Sequence, residues 1–364
     1  MILMEERKAT KRIILGGVPI GGGTPVTVQS MTKTDTRDVE ATLDQIRHLE
    51  AARCDIVRVA VPDKDAAEAL PGIITGTSMP VVADIHFDHR LALLAMEKGV
   101  AGIRINPGTI GKGSGLKDVA AMAEERGVVV RVGVNSGSLE KRLRDGAGRA
   151  EASALARSAL DGVALLESMG VTRIKVSVKA SDVPRTIEAY RIVSRECSRP
   201  LHVGVTEAGT LISGAVKSAV GIGALLAEGI GDTIRVSLSA SPVEEVRVGR
   251  KILAALGLRV EGPEVISCPT CARTEIDVEG LANELEKALE GYSAPITVAV
   301  MGCAVNGPGE ARESDIGLAG DSGGGVLFVE GERMRRVSAD KILEELLGEV
   351  KKMMADREKA GGSS

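Results

Sequence analysis

The sequence predicts an α/β chain: a (β/α)8 barrel of the TIM type followed by a small α+β domain. Three observations carry this. Between residue 26 and about residue 256, eight short Val/Ile-rich runs alternate with eight segments of helical period, the signature of βα units closing into a ring. Glycine follows four of the helical segments, at Gly99, Gly127, Gly170 and Gly257, where a left-handed C-cap belongs. At Gly262-Pro263 the alternation stops. The length of 364 residues suits one large and one small domain, drawn as 1–259 and 260–364. An open doubly wound sheet is the alternative for the first domain; the count of eight favours closure.

The strand candidates are 26–30, 55–61, 81–86, 102–106, 128–135, 173–179, 201–207 and 233–239. The helices that follow them are 37–52, 63–73, 90–97, 116–125, 149–169, 183–195, 213–228 and 243–256. The second domain is read as a helix over 278–289, a strand over 296–301, a Gly-rich hairpin region over 316–329 and a final helix over 339–354. Arg333, Arg335 and Arg336 are read as a solvated turn, and the clusters Gly21–Gly23 and Gly323–Gly325 as turns.

Composition excludes several classes. A net charge of −4 gives no electrostatic footprint for nucleic acid. Phe87, Tyr190, Tyr292 and Phe328 are the whole aromatic inventory, so base-stacking platforms are absent. No apolar run reaches about 18 residues, and the N-terminus lacks the apolar core of a secretory signal. Five cysteines without framework spacing point to a reducing compartment, hence the cytoplasm, and no membrane partner. Cys54 and Cys197 read as buried small hydrophobes.

Strand side chains alternate, so one parity of each run shares a face. One parity is apolar: Val57, Val59 and Val61; Ile103 and Ile105; Val130, Val132 and Val134; Ile174, Val176 and Val178; Val236 and Leu238. These should meet the helices. The other parity should line the interior, and it is polar: Gln29; Arg58; Asp84 and His86; Arg104 and Asn106; Arg131 and Asn135; Lys175, Ser177 and Lys179; His202 and Thr206; Arg235 and Ser237. An ordinary barrel fills this space with Val, Ile and Leu. Burying an unpaired cation costs several kcal/mol, and Asp84 and Glu207 counter only two charges. An anionic ligand should supply the rest. Converging guanidinium forks suit a diphosphate. His86, beside Asp84, is a candidate acid, base or donor.

The second domain carries Cys268-Pro269-Thr270-Cys271 and, later, Cys303 in Met301–Glu310. All four histidines, His48, His86, His89 and His202, precede these cysteines, so a Cys3His zinc site is not completed locally. Three thiolates with a weak fourth ligand suit an iron–sulfur cluster with one reactive iron. Two rival readings stand beside this one. The first is a non-redox barrel transferase with a structural zinc held by the three cysteines and a carboxylate. The second is a non-catalytic iron–sulfur sensor, which leaves the inward arginines unexplained.

The segments VQSMTKTDT, VADIHFD, GIRINPGTIG, VRVGVNSGSL, KVSVKAS, VGVTEAG, GIGDTIRVSL, CPTC and MGCAVNGPGE together resemble the 4-hydroxy-3-methylbut-2-enyl diphosphate synthase family, in its short bacterial form. The resemblance spans nearly the whole chain. It implies a TIM barrel plus an iron–sulfur domain, and a [4Fe–4S] cluster held by Cys268, Cys271, Cys303 and Glu310. It implies reductive opening of 2-C-methyl-D-erythritol 2,4-cyclodiphosphate, with the diphosphate on Arg58, Arg104, Arg131, Lys179 and Arg235, assisted by Asn135 and Ser237. Glu207 matches a carboxylate of the family's pocket. Lys179 is preferred over Lys175 because it lies nearer the C-terminal strand end, where barrel sites sit. Glu310, a harder ligand than thiolate, is expected to be the exchangeable one; Glu310, Glu207 and His86 are the candidate catalytic groups. The resemblance further implies a ferredoxin or flavodoxin as electron donor and a head-to-tail homodimer.

Overall fold

In the computed structural model the described residues are 5–361 except 87, 107–113, 141–142, 145–149, 260–261, 291 and 293. The chain divides into two compact units, Met1–Arg259 and Val260–Ser364.

The first unit opens with a hairpin that periodicity does not reveal, β1 (Ile13–Leu15) and β2 (Val18–Ile20), turning through Gly16 and Gly17, both at positive φ. The eight expected βα units follow: β3 (Thr27–Met31) and α1 (Val39–Ala51), β4 (Ile56–Ala60) and α2 (Lys64–Thr75), β5 (Val81–Asp84) and α3 (His89–Glu97), β6 (Gly102–Ile105) and α4 (Ser114–Arg126). Then come β7 (Val129–Asn135) and α5 (Ala152–Ser168), β8 (Ile174–Lys179) and α6 (Val183–Glu196), β9 (His202–Val203) and α7 (Leu211–Ala227), β10 (Thr233–Ile234) and α8 (Pro242–Ala255). Aspartates start several helices by accepting a backbone N–H: Asp38 from Ala41, Asp63 from Ala66, Asp182 from Arg185.

The eight strands are parallel, in the order β8-β7-β6-β5-β4-β3-β10-β9. The ring is completed by a single parallel bridge, Val176 to Leu201. The last two strands are far shorter than the 201–207 and 233–239 expected. Their later residues leave the ladder and form the rim, so Thr206 and Ser237 stand beyond the strands.

The predicted parity holds. Val57, Val59, Val61, Ile103, Ile105, Val130, Val132, Val134, Ile174, Val176, Val178, Val236 and Leu238 belong to one buried core with the helices. The inward face has two layers. At its N-terminal end Ile56, Val82 and Val129 pack with Ile13, Leu15 and Ile20 of the hairpin, which forms an apolar floor. Gly102 stands in that layer, where a Cβ would come within 3.3 Å of Leu15 Cδ1. One pleat further on, the same face turns polar and charged. Among the described residues no helix is long and apolar enough to cross a membrane.

The second unit is a five-stranded sheet, β11 (Glu264–Ser267), β12 (Thr297–Met301), β13 (Ile316–Asp321), β14 (Gly324–Val329) and β15 (Glu332–Ser338), in that order. The first three strands are parallel and the last two antiparallel to their neighbours. Helices α9 (Val278–Ala288) and α11 (Ile342–Gly361) bury one face through Leu285, Val298, Val300, Leu318, Leu346 and Val350. The short α10 (Gly307–Glu313) lies on the other face over Gly317, where a Cβ would meet Ala311 O at 2.3 Å. Two expectations are corrected here. Arg333, Arg335 and Arg336 lie on β15, not on a turn. Their strand is held by Arg335 pairing with Glu345 and Glu349 and by Arg336 with Asp321. Of Gly323–Gly325 only Gly323 stands in the turn; Gly324 and Gly325 belong to β14.

Candidate functional site

The charged layer of the barrel is built by strand register. Arg104 of β6 lies opposite Asp84 of β5 on one side and Arg131 of β7 on the other, and Arg131 lies opposite Lys175 of β8. Arg58, Arg104, Arg131, Lys175 and Lys179 are all buried, and the Arg235 side chain is only 16% exposed. Asp84 anchors one side: its carboxylate lies 3.8 Å from Arg58 Nε, 3.4 Å from Arg104 Nη1 and 3.5 Å from His86 Nε2. Burial alone would raise this carboxyl. Arg58, the His86 hydrogen bond, Arg104 and Arg131 outweigh it and hold Asp84 well below the usual carboxylate range.

The cations show the opposite balance. Burial first, then Arg58 and Arg104, push the Arg131 guanidinium well below its ordinary value. Burial, then Arg131 and Arg235, do the same to Lys179. Arg235 falls to about 10 through burial and its neighbour Arg58, against the pull of Glu245. Lys175 is lowered by burial and Arg131, with only Asp232 opposing. Its ammonium has no hydrogen-bond partner, and neither do Nε of Arg104, Arg131 and Arg235. A pocket in which each cation weakens the next is one that gains by taking up an anion.

Glycines make room for the long side chains. At Gly133 a Cβ would stand 2.7 Å from Arg104 Nε, and at Gly204 it would stand 2.7 Å from Lys179 Nζ and 2.3 Å from Arg235 O. Sequence reading missed both, because a glycine in a strand announces a close approach without saying to what. It also missed Glu245 of α8. This carboxylate is 2% exposed, accepts from Ser30 Oγ at 3.0 Å and Leu238 N at 3.1 Å, and lies 3.7 Å from Arg235 Nη2. The interior therefore has a counter-charge that strand parity cannot display. Glu207, expected to be the second counter-charge, is exposed instead, on a loop where its φ is +51°. A side chain in that region is strained, a feature concentrated at functional loops. His86 stands just past β5 with its side chain 54% exposed, beside Arg104 and Asp84. Asn135 ends β7 opposite Lys179, and Ser237 is half-buried past β10. Residues 107–113 of the GIRINPGTIG segment and Phe87 of VADIHFD lie outside the described residues.

In the second unit the cysteines follow the C-terminal ends of two adjacent parallel strands. Ser267 of β11 pairs with Val300 of β12, so Cys268 and Cys303 emerge from the same edge. Gly302 N donates to Cys268 Sγ at 3.3 Å, and Thr270 takes a φ of +59° to fold the Cys-x-x-Cys loop back. Cys303 is lowered by N–H groups of Asn306, Val305 and Gly307, and Cys271 by that of Arg273. Cys54 behaves oppositely: burial pushes its thiol up to about 12, as befits a packed hydrophobe. Glu310 is exposed in the first turn of α10. Three cysteines, with the thiols of Cys271 and Cys303 lowered, and the carboxylate of Glu310 are donors of the kind that suits an iron–sulfur cluster. Among the described residues no three His, Cys, Asp or Glu side chains gather closely enough for a single metal ion.

The chain matches the model of the GcpE TIM-barrel domain over residues 10–250 and that of the GcpE protein C-terminal domain over residues 264–352. It is 55% identical over 348 residues to a protein of Geobacter sulfurreducens, covering 96% of this chain and 99% of that one. It is 54% identical over 354 residues to one of Caldanaerobacter subterraneus, covering 97% and 100%. A relative in Geobacillus kaustophilus is 54% identical over 96% of this chain and 93% of its own length. All three are named 4-hydroxy-3-methylbut-2-en-1-yl diphosphate synthase (flavodoxin). With both units matched in order and more than half the residues shared along almost the full length, the chain belongs to the GcpE family of 4-hydroxy-3-methylbut-2-en-1-yl diphosphate synthases.

Proposed function

We infer that the chain carries out the reaction for which its relatives are named. It converts 2-C-methyl-D-erythritol 2,4-cyclodiphosphate to 4-hydroxy-3-methylbut-2-en-1-yl diphosphate, by reductive ring opening with loss of water, in the methylerythritol phosphate route to isoprenoids. The observation that carries this reading is the buried excess of positive charge inside the barrel. Arg58, Arg104, Arg131, Lys179 and Arg235 hold the diphosphate, with Asn135 and Ser237 at the rim. As the ring C–O bond breaks, negative charge grows on a diphosphate oxygen. Buried guanidinium groups held by their neighbours stabilise that charge with little reorganisation. His86, whose Nε2 faces Asp84 while its side chain is 54% exposed, is the candidate to pass a proton; Glu207 is the alternative donor. Lys175 is level with Arg131, whereas Lys179 stands opposite Asn135 at the C-terminal end of β8, which supports Lys179 as the contacting lysine.

When bound, a [4Fe–4S] cluster on Cys268, Cys271, Cys303 and Glu310 supplies the two electrons one at a time. The N–H groups around Cys271 and Cys303 favour the thiolates such a group needs. The name of the relatives supports flavodoxin as the donor. A head-to-tail homodimer, with the cysteine unit of one chain closing the barrel mouth of the other, and a cytoplasmic location complete the reading.

The deciding experiment is anaerobic purification, iron and sulfide analysis, then incubation with the cyclic diphosphate and reduced flavodoxin. The expected result is brown protein with one cubane per chain and linear diphosphate product. Cluster-replete protein that leaves the substrate intact, with dithionite as well as flavodoxin, would falsify the reading. A second expectation follows from Gly133. Gly133→Ala displaces Arg104 and should weaken the cyclic diphosphate by about tenfold, the worth of one charge-assisted hydrogen bond. Unchanged affinity by calorimetric titration would show that Arg104 does not reach the ligand.

A further inference from the structure

A buried guanidinium that must meet an anion has two requirements that conflict. It needs a partner to fix its fork in one orientation, and it must keep its charge for the ligand. A carboxylate meets the first requirement and spoils the second. In this barrel Asp84 serves Arg58 and Arg104, and Glu245 lies near Arg235. Arg131, in the middle of the charged layer, is held differently. Its Nη1 lies 3.3 Å from Nδ1 and 3.4 Å from Nε2 of His202; nearly equidistant from two lone pairs that point apart in the ring plane, it rests against the imidazole face.

His202 has no exposed surface. Its backbone is fixed twice, by the ladder to Thr233 and by Tyr190 Oη, which donates to its carbonyl at 2.5 Å. The charged groups that act on its ring are Lys179, Arg131, Lys175 and Arg58, every one a cation. Burial and those cations keep the imidazole neutral, so its ring supports Arg131 and adds no charge of either sign. Arg58 shows a related arrangement: besides its longer contact to Asp84, it donates to the uncharged sulfur of Met31 from Nη2 at 2.9 Å and from Nε at 3.2 Å. Arg104 Nη2 donates to the Gly133 carbonyl at 3.3 Å.

We propose that His202 is a positioning residue for Arg131: a neutral clamp that fixes the guanidinium while leaving its full charge to the substrate diphosphate. This rests on the reading of the barrel as a diphosphate site. It assigns a role to a residue buried beneath the ligand and outside the set of direct contacts.

The test is a double-mutant cycle on the full-length protein, reading the dissociation constant of the cyclic diphosphate by calorimetry. His202→Leu should weaken binding about tenfold in the wild-type background, as expected for a desolvated cation held against a ring face. It should cost less than about twofold when Arg131 is already Met, because nothing remains to be positioned. His202→Gln, which keeps a neutral planar group for the guanidinium to lie against, should stay within about threefold of wild type. His202→Glu should bind at least as weakly as His202→Leu, since its carboxylate cancels the charge that the ligand needs. A merely structural histidine gives the same cost in both backgrounds, and that result overturns the proposal. If His202→Leu does not fold, the Glu and Gln variants decide: equal affinities overturn it. If Arg131→Met itself binds the substrate like wild type, the proposal falls together with the diphosphate reading. If Arg131→Met weakens binding but the cycle is additive, the proposal alone falls.

Discussion

Cys303→Ser is expected to strip most iron and sulfide from the protein and to lower turnover by more than about 100-fold. The bound is a floor, because disturbing only the partners of metal ligands already costs 10–100-fold. The expectation has a structural cause. Cys303 sits where β12 ends, with N–H groups of Asn306, Val305 and Gly307 directed at its sulfur and lowering its thiol. A serine hydroxyl there stays protonated at neutral pH and offers iron a poor ligand. Cys54→Ser and Cys197→Ser are the controls. Both thiols are buried in the barrel core, and burial raises both, so soluble protein from either variant should carry the wild-type iron content per chain. Glu310→Gln should retain more iron than Cys303→Ser, since three thiolates remain. Iron, sulfide and the visible spectrum read all four variants independently of turnover. Full iron content in Cys303→Ser would remove this cysteine from the ligand set.

The parts legible in the sequence are those where one physical rule acts alone. Period-two alternation through β4, β6, β7 and β8 put Val57, Ile103, Val130 and Val176 against the helices, and the same alternation turned Arg58, Arg104, Arg131 and Lys175 inward. The illegible parts are those where two rules compete or where the partner is distant in sequence. β15 reads as a polar turn because its arginines face outward; what makes it a strand is pairing with Val326 and Leu327 of β14 and carboxylates supplied by α11. The hairpin at Ile13–Ile20 is too short to show a period, and its purpose, sealing Ile56, Val82 and Val129, appears only once the ring is closed. Glu245 lies in a helix whose other charges face solvent, and its burial follows from Ser30 and Leu238 N, which come from other parts of the barrel. Alternation turns His202 inward, but its partnership with Arg131 depends on the closure of the ring between β8 and β9.

Asp84→Asn is expected to destabilise the barrel by about 3–5 kcal/mol, the cost of removing one partner from a buried ionic group. Asp84 is 6% exposed and is the carboxylate shared by Arg58 and Arg104. An amide of the same shape keeps the packing and leaves the guanidinium charges facing each other. The pH dependence has a definite sign. The folded-state value of Asp84 lies well below its unfolded value near 3.9, so its stabilisation is fully present above that pH, declines below it as the unfolded chain takes up the proton, and is gone once pH has fallen through the lower folded value. The stability gap between wild type and Asp84→Asn should therefore be the same at pH 5 and pH 8, by urea unfolding, and should narrow only in strong acid. A ligand distinguishes this from simple misfolding. Inorganic pyrophosphate supplies the missing negative charge, so at one concentration it should stabilise the variant more than the wild type, through tighter binding to the folded state. A variant as stable as wild type would mean that Asp84 does not compensate the arginines. A destabilised variant that pyrophosphate does not rescue would mean that the charged layer is not the anion site, and the diphosphate reading would fall with it.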